Sequence, residues 1–107
     1  MVRAGWSPSV RLFEAALCGC PILSDGWPGL STLFQPGAEI AVVDSAETVL
    51  RLLRHIDGDR RRAWAAAARR RALDAHTADH RACELEALIA TAARGRCAAC
   101  GLRPAVA

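Results

Sequence analysis

Apolar residues recur with a helical period near the start of this chain. They lie about one turn apart on one face that we expect to be buried, at Val10, Phe13, Ala16 and Leu17. Ser7 suits the N-cap before this face, and Pro8 suits the first helical position. Gly19 suits the left-handed residue that often follows a helix. The pattern therefore predicts a short amphipathic helix with a start and a stop signal.

Two short apolar runs lack this helical period and predict strands. The first covers residues 21–24, directly after the helix, and stops at Asp25 and Gly26. The second covers residues 39–44 and stops at Ser45. Short continuous apolar runs are typical of parallel strands that are buried on both faces. One further helical turn is predicted between them, at residues 30–34.

The rest of the chain predicts three helices and a tail. Ser45 begins the first, whose apolar stripe consists of Val49, Leu50, Leu52, Leu53 and Ile56. A second helix is expected at residues 60–75, beyond the stop at residues 57–59. Thr77 can cap a third, whose stripe consists of Ala82, Leu85, Leu88 and Ile89. Residues 95–107 show no period, so we expect a folded part at residues 1–94 and a flexible tail.

This order of elements predicts the fold class. Short buried strands that alternate with amphipathic helices are typical of an α/β fold with a parallel sheet. Two strands alone rarely form a stable sheet. We therefore expect part of a Rossmann-like sheet with C-terminal helices, completed by strands from outside this chain.

Composition adds little to this picture. Apolar residues make up 52% and charged residues 23% of the 107 residues, as in ordinary globular proteins. No apolar run approaches the roughly 20 residues of a membrane span, and no signal peptide is visible at the start, so a cytoplasmic location is expected. All 14 basic residues are arginines, but the net charge of +3 does not require a nucleic-acid partner.

Two other kinds of site stay open from the residues alone. His80 and Cys83 precede Cys97 and Cys100 at a spacing close to that of small zinc modules. Arginine triplets at residues 60–62 and 69–71 are compatible with nucleic-acid binding, although acidic residues flank both. A zinc-stabilised binding module and a basic nucleic-acid-binding domain are therefore the alternatives. The leading interpretation includes neither a metal nor another cofactor.

The segment at residues 7–24 resembles the signature of retaining glycosyltransferases with two Rossmann-like domains, the GT-B type. The similarity rests on Glu14, Gly19 and Pro21, which lie at the family's Glu, Gly and Pro positions before a strand. Residues 25–40, with Pro36-Gly37, resemble the subgroup related to spore-maturation glycosyltransferases. The resemblance extends over about residues 5–90. It implies the C-terminal part of a nucleotide-sugar-binding domain, inactive on its own.

The resemblance also implies a site. The Glu matching Glu14 accepts hydrogen bonds from the ribose hydroxyls of a nucleotide-sugar donor, and the loop and first helical turn lie beside the pyrophosphate. This maps donor binding to Ser7, Ser9, Val10, Arg11 and Glu14. An ion pair between Arg11 and Glu14, three residues apart, is the structural alternative. Many relatives carry a second acid where this chain has Trp6, and no catalytic residue or acceptor is assigned.

Overall fold

A computed structural model describes residues 8–100 of the chain, with side chains through residue 94. The helices are α1 (Val10–Leu17), α2 (Leu30–Leu33), α3 (Ala46–His55), α4 (Gly58–Ala75) and α5 (Ala78–Cys100). The strands are β1 (Leu23–Ser24), between α1 and α2, and β2 (Ala41–Val42), between α2 and α3. The predicted α/β class and the order of elements are confirmed. Helix α5 belongs to a compact unit of its own, beginning at Thr77.

The two strands form a parallel pair in which Leu23 is opposite Ala41 and Ser24 is opposite Val42. Both are shorter than predicted. Before β1, Pro21 has no N–H to donate to a ladder. Before β2, the chain is held in a turn, because the Gly37 N–H donates to the Ile40 carbonyl at 2.8 Å. Local turn chemistry therefore removes residues from both predicted strands.

Helix α1 begins two residues later than predicted. Ser9, not Ser7, is its N-cap: the backbone of Ser9 is extended and its Oγ accepts a hydrogen bond from the Arg11 N–H at 3.3 Å. Pro8 consequently lies outside the helix. Ser7 is outside the described residues. The chain offers two serines on either side of a proline, and only the fold shows which of them caps the helix.

The end of α1 matches its prediction. Gly19 has a φ of 70°, in the left-handed region, and follows the C-cap residue Cys18. Its N–H donates to the Ala16 carbonyl at 2.9 Å, and the Cys20 N–H donates to the Ala15 carbonyl at 2.9 Å. These two bonds form a Schellman motif. The motif reverses the chain and directs it into β1.

The core forms where α1 packs against α4. Two fully buried alanines of α4, Ala68 and Ala72, lie in the same buried cluster as Ala16 of α1. Side chains this small let two helices approach closely. The remaining buried members of the cluster are Ile22, Leu30, Phe34 and Ile40. The rings of Phe13 and His76 lie against Phe34, at centroid distances of 5.7 Å each.

Polar contacts fasten α4 to the loops around the sheet. The Trp64 indole N–H donates to the Gly37 carbonyl at 2.8 Å, and the Arg69 Nε donates to the Leu17 carbonyl at 3.1 Å. Arg71 pairs with Glu39 at 3.1 Å. Part of the second arginine triplet therefore has a structural role, which the sequence did not indicate.

Helix α3 is capped as predicted but is not deeply buried. The Ser45 Oγ accepts from the Thr48 N–H at 3.2 Å. Leu52 and Ile56 are half-buried, whereas Leu50 and Leu53 are 50% and 61% exposed. Two of the five residues of the predicted stripe are therefore exposed, and the other three are half-buried.

Helix α5 extends further than predicted. It continues to Cys100, six residues into the segment expected to be a tail. Its apolar stripe is exposed within the described residues, with Leu85, Leu88 and Ile89 all more than half accessible. The rest of the predicted tail, residues 101–107, lies outside the described residues. No described helix is long and apolar enough to cross a membrane.

Candidate functional site

The outer face of α1 presents Glu14 between two exposed apolar residues. Val10 is 66% exposed and Leu17 is 42% exposed, so the prediction that both lie on the buried face was wrong. They lie one helical turn before and after Glu14, which is itself exposed. The opposite face of the helix contributes Ala16 to the core. Core packing of α1 therefore fixes the direction in which the Glu14 carboxylate projects.

The side chains of Arg11 and Glu14 are not paired with each other. No hydrogen bond or ion pair joins these two described residues, although three positions separate them on one helix. The surface ion pair that was the structural alternative is thus absent from this conformation. Within residues 8–94, neither side chain has a hydrogen bond or ion pair to another side chain.

The first-turn N–H groups of α1 beside these side chains are already used in the helix cap. The Arg11 N–H is bound to Ser9 Oγ, and the Leu12 N–H donates to the Ser9 carbonyl at 3.1 Å. The Ser9 hydroxyl still has its own proton to donate. The N-terminus of the helix also carries the positive end of the helix dipole. Of the predicted site residues, the structure brings Ser9, Val10, Arg11 and Glu14 together over little more than one turn.

Two other polar residues come at the ends of the strands. Asp25 directly follows β1, and Asp44 is the second residue after β2. In parallel α/β folds a helix joined to a strand by a tight turn runs antiparallel to it, so we expect the start of α1 to lie toward the carboxyl ends of the strands. Ligands of parallel α/β sheets bind at this edge. Sequence reasoning took both aspartates only as the ends of the predicted strands, although a polar residue at the end of each strand was the available signal.

Asp44 has a defined electrostatic setting. Its Oδ1 accepts from the Thr48 hydroxyl at 2.9 Å. The hydrogen bond from Thr48, with a second from Ser45, lowers the pKa of the Asp44 carboxyl from its ordinary value. Arg51 lowers it further through its charge. Asp44 therefore remains ionised at the start of α3, where a negative charge is favourable.

We expect Thr48→Val to raise the pKa of Asp44 toward its ordinary value, because the hydroxyl that stabilises the carboxylate is lost. A carboxyl group whose pKa is lower in the folded state than in the unfolded state stabilises the fold at pH values above the unfolded-state pKa. That stabilisation is lost as the pH falls through the folded-state pKa. The free energy of unfolding of the variant should therefore change less with pH in the acid range than that of the wild type. Carboxyl-carbon NMR titration of Asp44 measures the shift directly. An unchanged titration midpoint would show that the Thr48 hydrogen bond has no such effect.

Comparison with known families identifies the chain. A glycosyl transferase-like family model matches residues 1–87. The chain belongs to this glycosyl transferase-like family. Comparison with curated proteins and with solved structures gave no significant match. The match covers α1, both strands, α3 and α4, and therefore every residue of the candidate site described above.

The zinc alternative does not agree with the fold of this family member. His80 and Cys97 are seventeen positions apart on one continuous helix, α5. At about 1.5 Å per residue, their backbones are separated by roughly 25 Å. One ion cannot be ligated by both ends of such a segment. The described residues also contain no cluster of three or more potential ligands. A zinc site would need a loop that returns toward the helix, and this segment is itself helical through Cys100.

The arginine triplets are partly engaged within the chain. Arg62 pairs with Asp59, one turn earlier on α4. Arg60 stacks over the Trp64 ring at 5.0 Å from its centroid. With Arg69 and Arg71 bound to the loops as above, the six arginines do not form one uniform cationic surface. This arrangement does not favour the nucleic-acid alternative over the glycosyl transferase-like family.

Proposed function

We propose that the start of α1 binds the nucleotide part of a nucleotide-activated sugar donor. Glu14 would accept hydrogen bonds from the two ribose hydroxyls, and the first turn of α1 would lie beside the pyrophosphate. Transfer would be to an acceptor whose identity is open. The proposal goes beyond the family assignment in three respects. We propose that the protein is of the GT-B type and is located in the cytoplasm. We also propose that strands outside this chain complete its sheet.

The observation that carries the proposal is the exposed carboxylate of Glu14, which has no ion pair among the residues that the structure describes. A carboxylate can accept from both ribose hydroxyls at once, and such charge-assisted bonds contribute about 1.5–3 kcal/mol each. Ser9 and Arg11 lie on the N-terminal side of Glu14 on α1. The positive end of the α1 dipole and the Ser9 hydroxyl favour a phosphate at this end of the helix. Ribose and pyrophosphate contacts are thus arranged along one helix in the order of the nucleotide itself.

The exposed Val10 and Leu17 support the same proposal. A second structural element can pack against the apolar surface on both sides of such a carboxylate. Coverage would lower the local dielectric and strengthen the bonds that Glu14 makes. In a two-domain glycosyltransferase the second domain provides such a cover. We therefore expect this chain by itself to transfer no sugar.

We expect Glu14→Ala to bind the natural nucleoside diphosphate roughly 5- to 150-fold more weakly, because losing the acceptor costs about 1–3 kcal/mol. Glu14→Gln should fall between this variant and the wild type, since it keeps the shape but loses the charge. Isothermal titration calorimetry with a panel of uridine, guanosine, adenosine and cytidine diphosphates measures the affinity. The tightest ligand is then carried forward.

The control is the 2′,3′-dideoxy analogue of that nucleotide. It has no hydroxyls for Glu14 to bind, so wild type and Glu14→Ala should bind it about equally. Glu86→Ala, an exposed acid on α5, should change neither affinity. If Glu14→Ala binds the natural nucleotide as tightly as the wild type does, the ribose assignment is wrong.

A further inference from the structure

A second polar groove lies between α3 and α4, away from α1. It has a volume of about 210 Å³ and is lined by Thr48, Arg51, Leu52, His55, Ile56, Arg60 and Trp64. None of these residues belongs to the donor site proposed above. The groove contains two arginines and a histidine but no acidic side chain.

Helix periodicity aligns one wall of the groove. Thr48, Arg51 and His55 are spaced by three and four residues on α3, so they occupy one face of that helix. This face lines the groove together with Arg60 and Trp64 from the first half of α4. Basic side chains from two helices therefore line the same groove.

The opposite wall holds an arginine in a fixed position. The guanidinium of Arg60 lies 5.0 Å from the centroid of the Trp64 ring. Trp64 is only 8% exposed, and its indole N–H is bound to the Gly37 carbonyl at 2.8 Å. The ring is therefore a rigid platform. A guanidinium held over an aromatic ring by a cation–π contact can still use its N–H groups to bind an oxyanion with two parallel bonds.

The basic side chains in this groove have no acidic partner among the described residues. No ion pair or hydrogen bond links the side chains of Arg51, His55 or Arg60 to an acid of the described chain. Asp44 acts on Arg51 only through its charge and is already bound to Thr48. Two guanidinium groups that face one groove repel each other, and Asp44 offsets only part of that charge. A bound anion would relieve the remaining repulsion.

We propose that this groove binds the phosphate group of a small molecule. Arg60 and Arg51 supply two guanidinium edges, which match the several oxygens of a phosphate dianion better than the two oxygens of a carboxylate. Leu52 and Ile56 form the apolar part of the lining, beside which the organic part of a phosphomonoester has room. The site is independent of the nucleotide at α1.

The test is an NMR titration of the whole chain with inorganic phosphate, glycerol phosphate and acetate, following the Trp64 indole N–H. Both phosphates should bind saturably, more tightly than acetate and more weakly at high salt. Tighter binding of glycerol phosphate identifies an organic phosphate as the ligand, and equal binding identifies free phosphate. Acetate binding as tight as phosphate binding, or no saturable shift with any of the three, overturns the proposal.

Matched variants separate the groove from general charge effects. Arg60→Gln should weaken phosphate binding about tenfold or more, because a bidentate charged contact is lost. Arg60→Lys should restore little of it, since it keeps the charge but not the planar fork. Arg70→Gln removes the same charge from α4 outside the groove and should leave the affinity unchanged. Equal weakening by Arg60→Gln and Arg70→Gln would overturn the assignment.

Discussion

Phe34→Ala should lower the free energy of unfolding by about 3–5 kcal/mol, the usual cost of removing a buried aromatic side chain. Phe34 has 0% of its surface exposed and lies at the centre of the cluster that joins α1, the loops and α4. Its ring also contacts the rings of Phe13 and His76. The substitution removes these contacts and leaves a cavity that the rigid neighbours cannot fill completely. Urea unfolding followed by circular dichroism measures the loss.

Leu53→Ala is the control for this prediction. It also shortens a large apolar side chain, but Leu53 is 61% exposed on α3. We expect a change within about 0.5 kcal/mol, as for most surface substitutions. Equal destabilisation by both substitutions would contradict the core described here. Phe34→Leu, which keeps much of the volume, should lie between the two.

Ala68→Asp should destabilise the fold by at least about 3 kcal/mol, the cost of leaving a buried charge unpaired. Ala68 is 0% exposed where α4 packs on α1, so there is no room for a carboxylate and no water to hydrate it. Burial raises the pKa of a carboxyl group, and the neutral form is easier to bury. The loss of stability relative to wild type should therefore shrink as the pH is lowered.

Ala66→Asp introduces the same side chain on the exposed face of the same helix. The loss of helix propensity is the same as for Ala68→Asp, about 0.7 kcal/mol or less. Arg62 and Arg70, one turn away on either side, offset part of it. Unfolding curves of the two variants across a pH series separate burial from propensity. A pH-independent difference between them would argue against an unpaired buried charge.

The pattern of the chain predicted which elements form, and it was least reliable at their ends. The helices and strands appear in the expected order because their periods and stop signals are local properties of the sequence. The start of α1 was misplaced since Ser7 and Ser9 are both competent caps, and the choice depends on where the helix packs. The strands were too long in the prediction, because a turn around Gly37 uses backbone groups that a ladder would need.

The zinc alternative shows why spacing alone is a weak guide. The spacing from Cys83 to Cys97 resembles that of small metal modules, but such modules need a chain reversal between their ligand pairs. Residues rich in alanine continue the helix instead, and the two pairs remain far apart along it. The spacing of the ligands is compatible with a zinc site, but the helix propensity of the whole segment keeps the two ligand pairs apart.

By itself, the sequence determined the α/β class, the reversal at Gly19 and the position of Glu14 on a short helix, because each depends on residues close along the chain. The tertiary structure decided which face of that helix is buried, so that Glu14 points outward with no bond to Arg11. It also decided that Arg60 stacks on Trp64 beside Arg51 and His55. Such contacts join residues distant in sequence, and their geometry follows from how alanines let α4 approach α1. Packing of α4, rather than any local motif, therefore creates the groove.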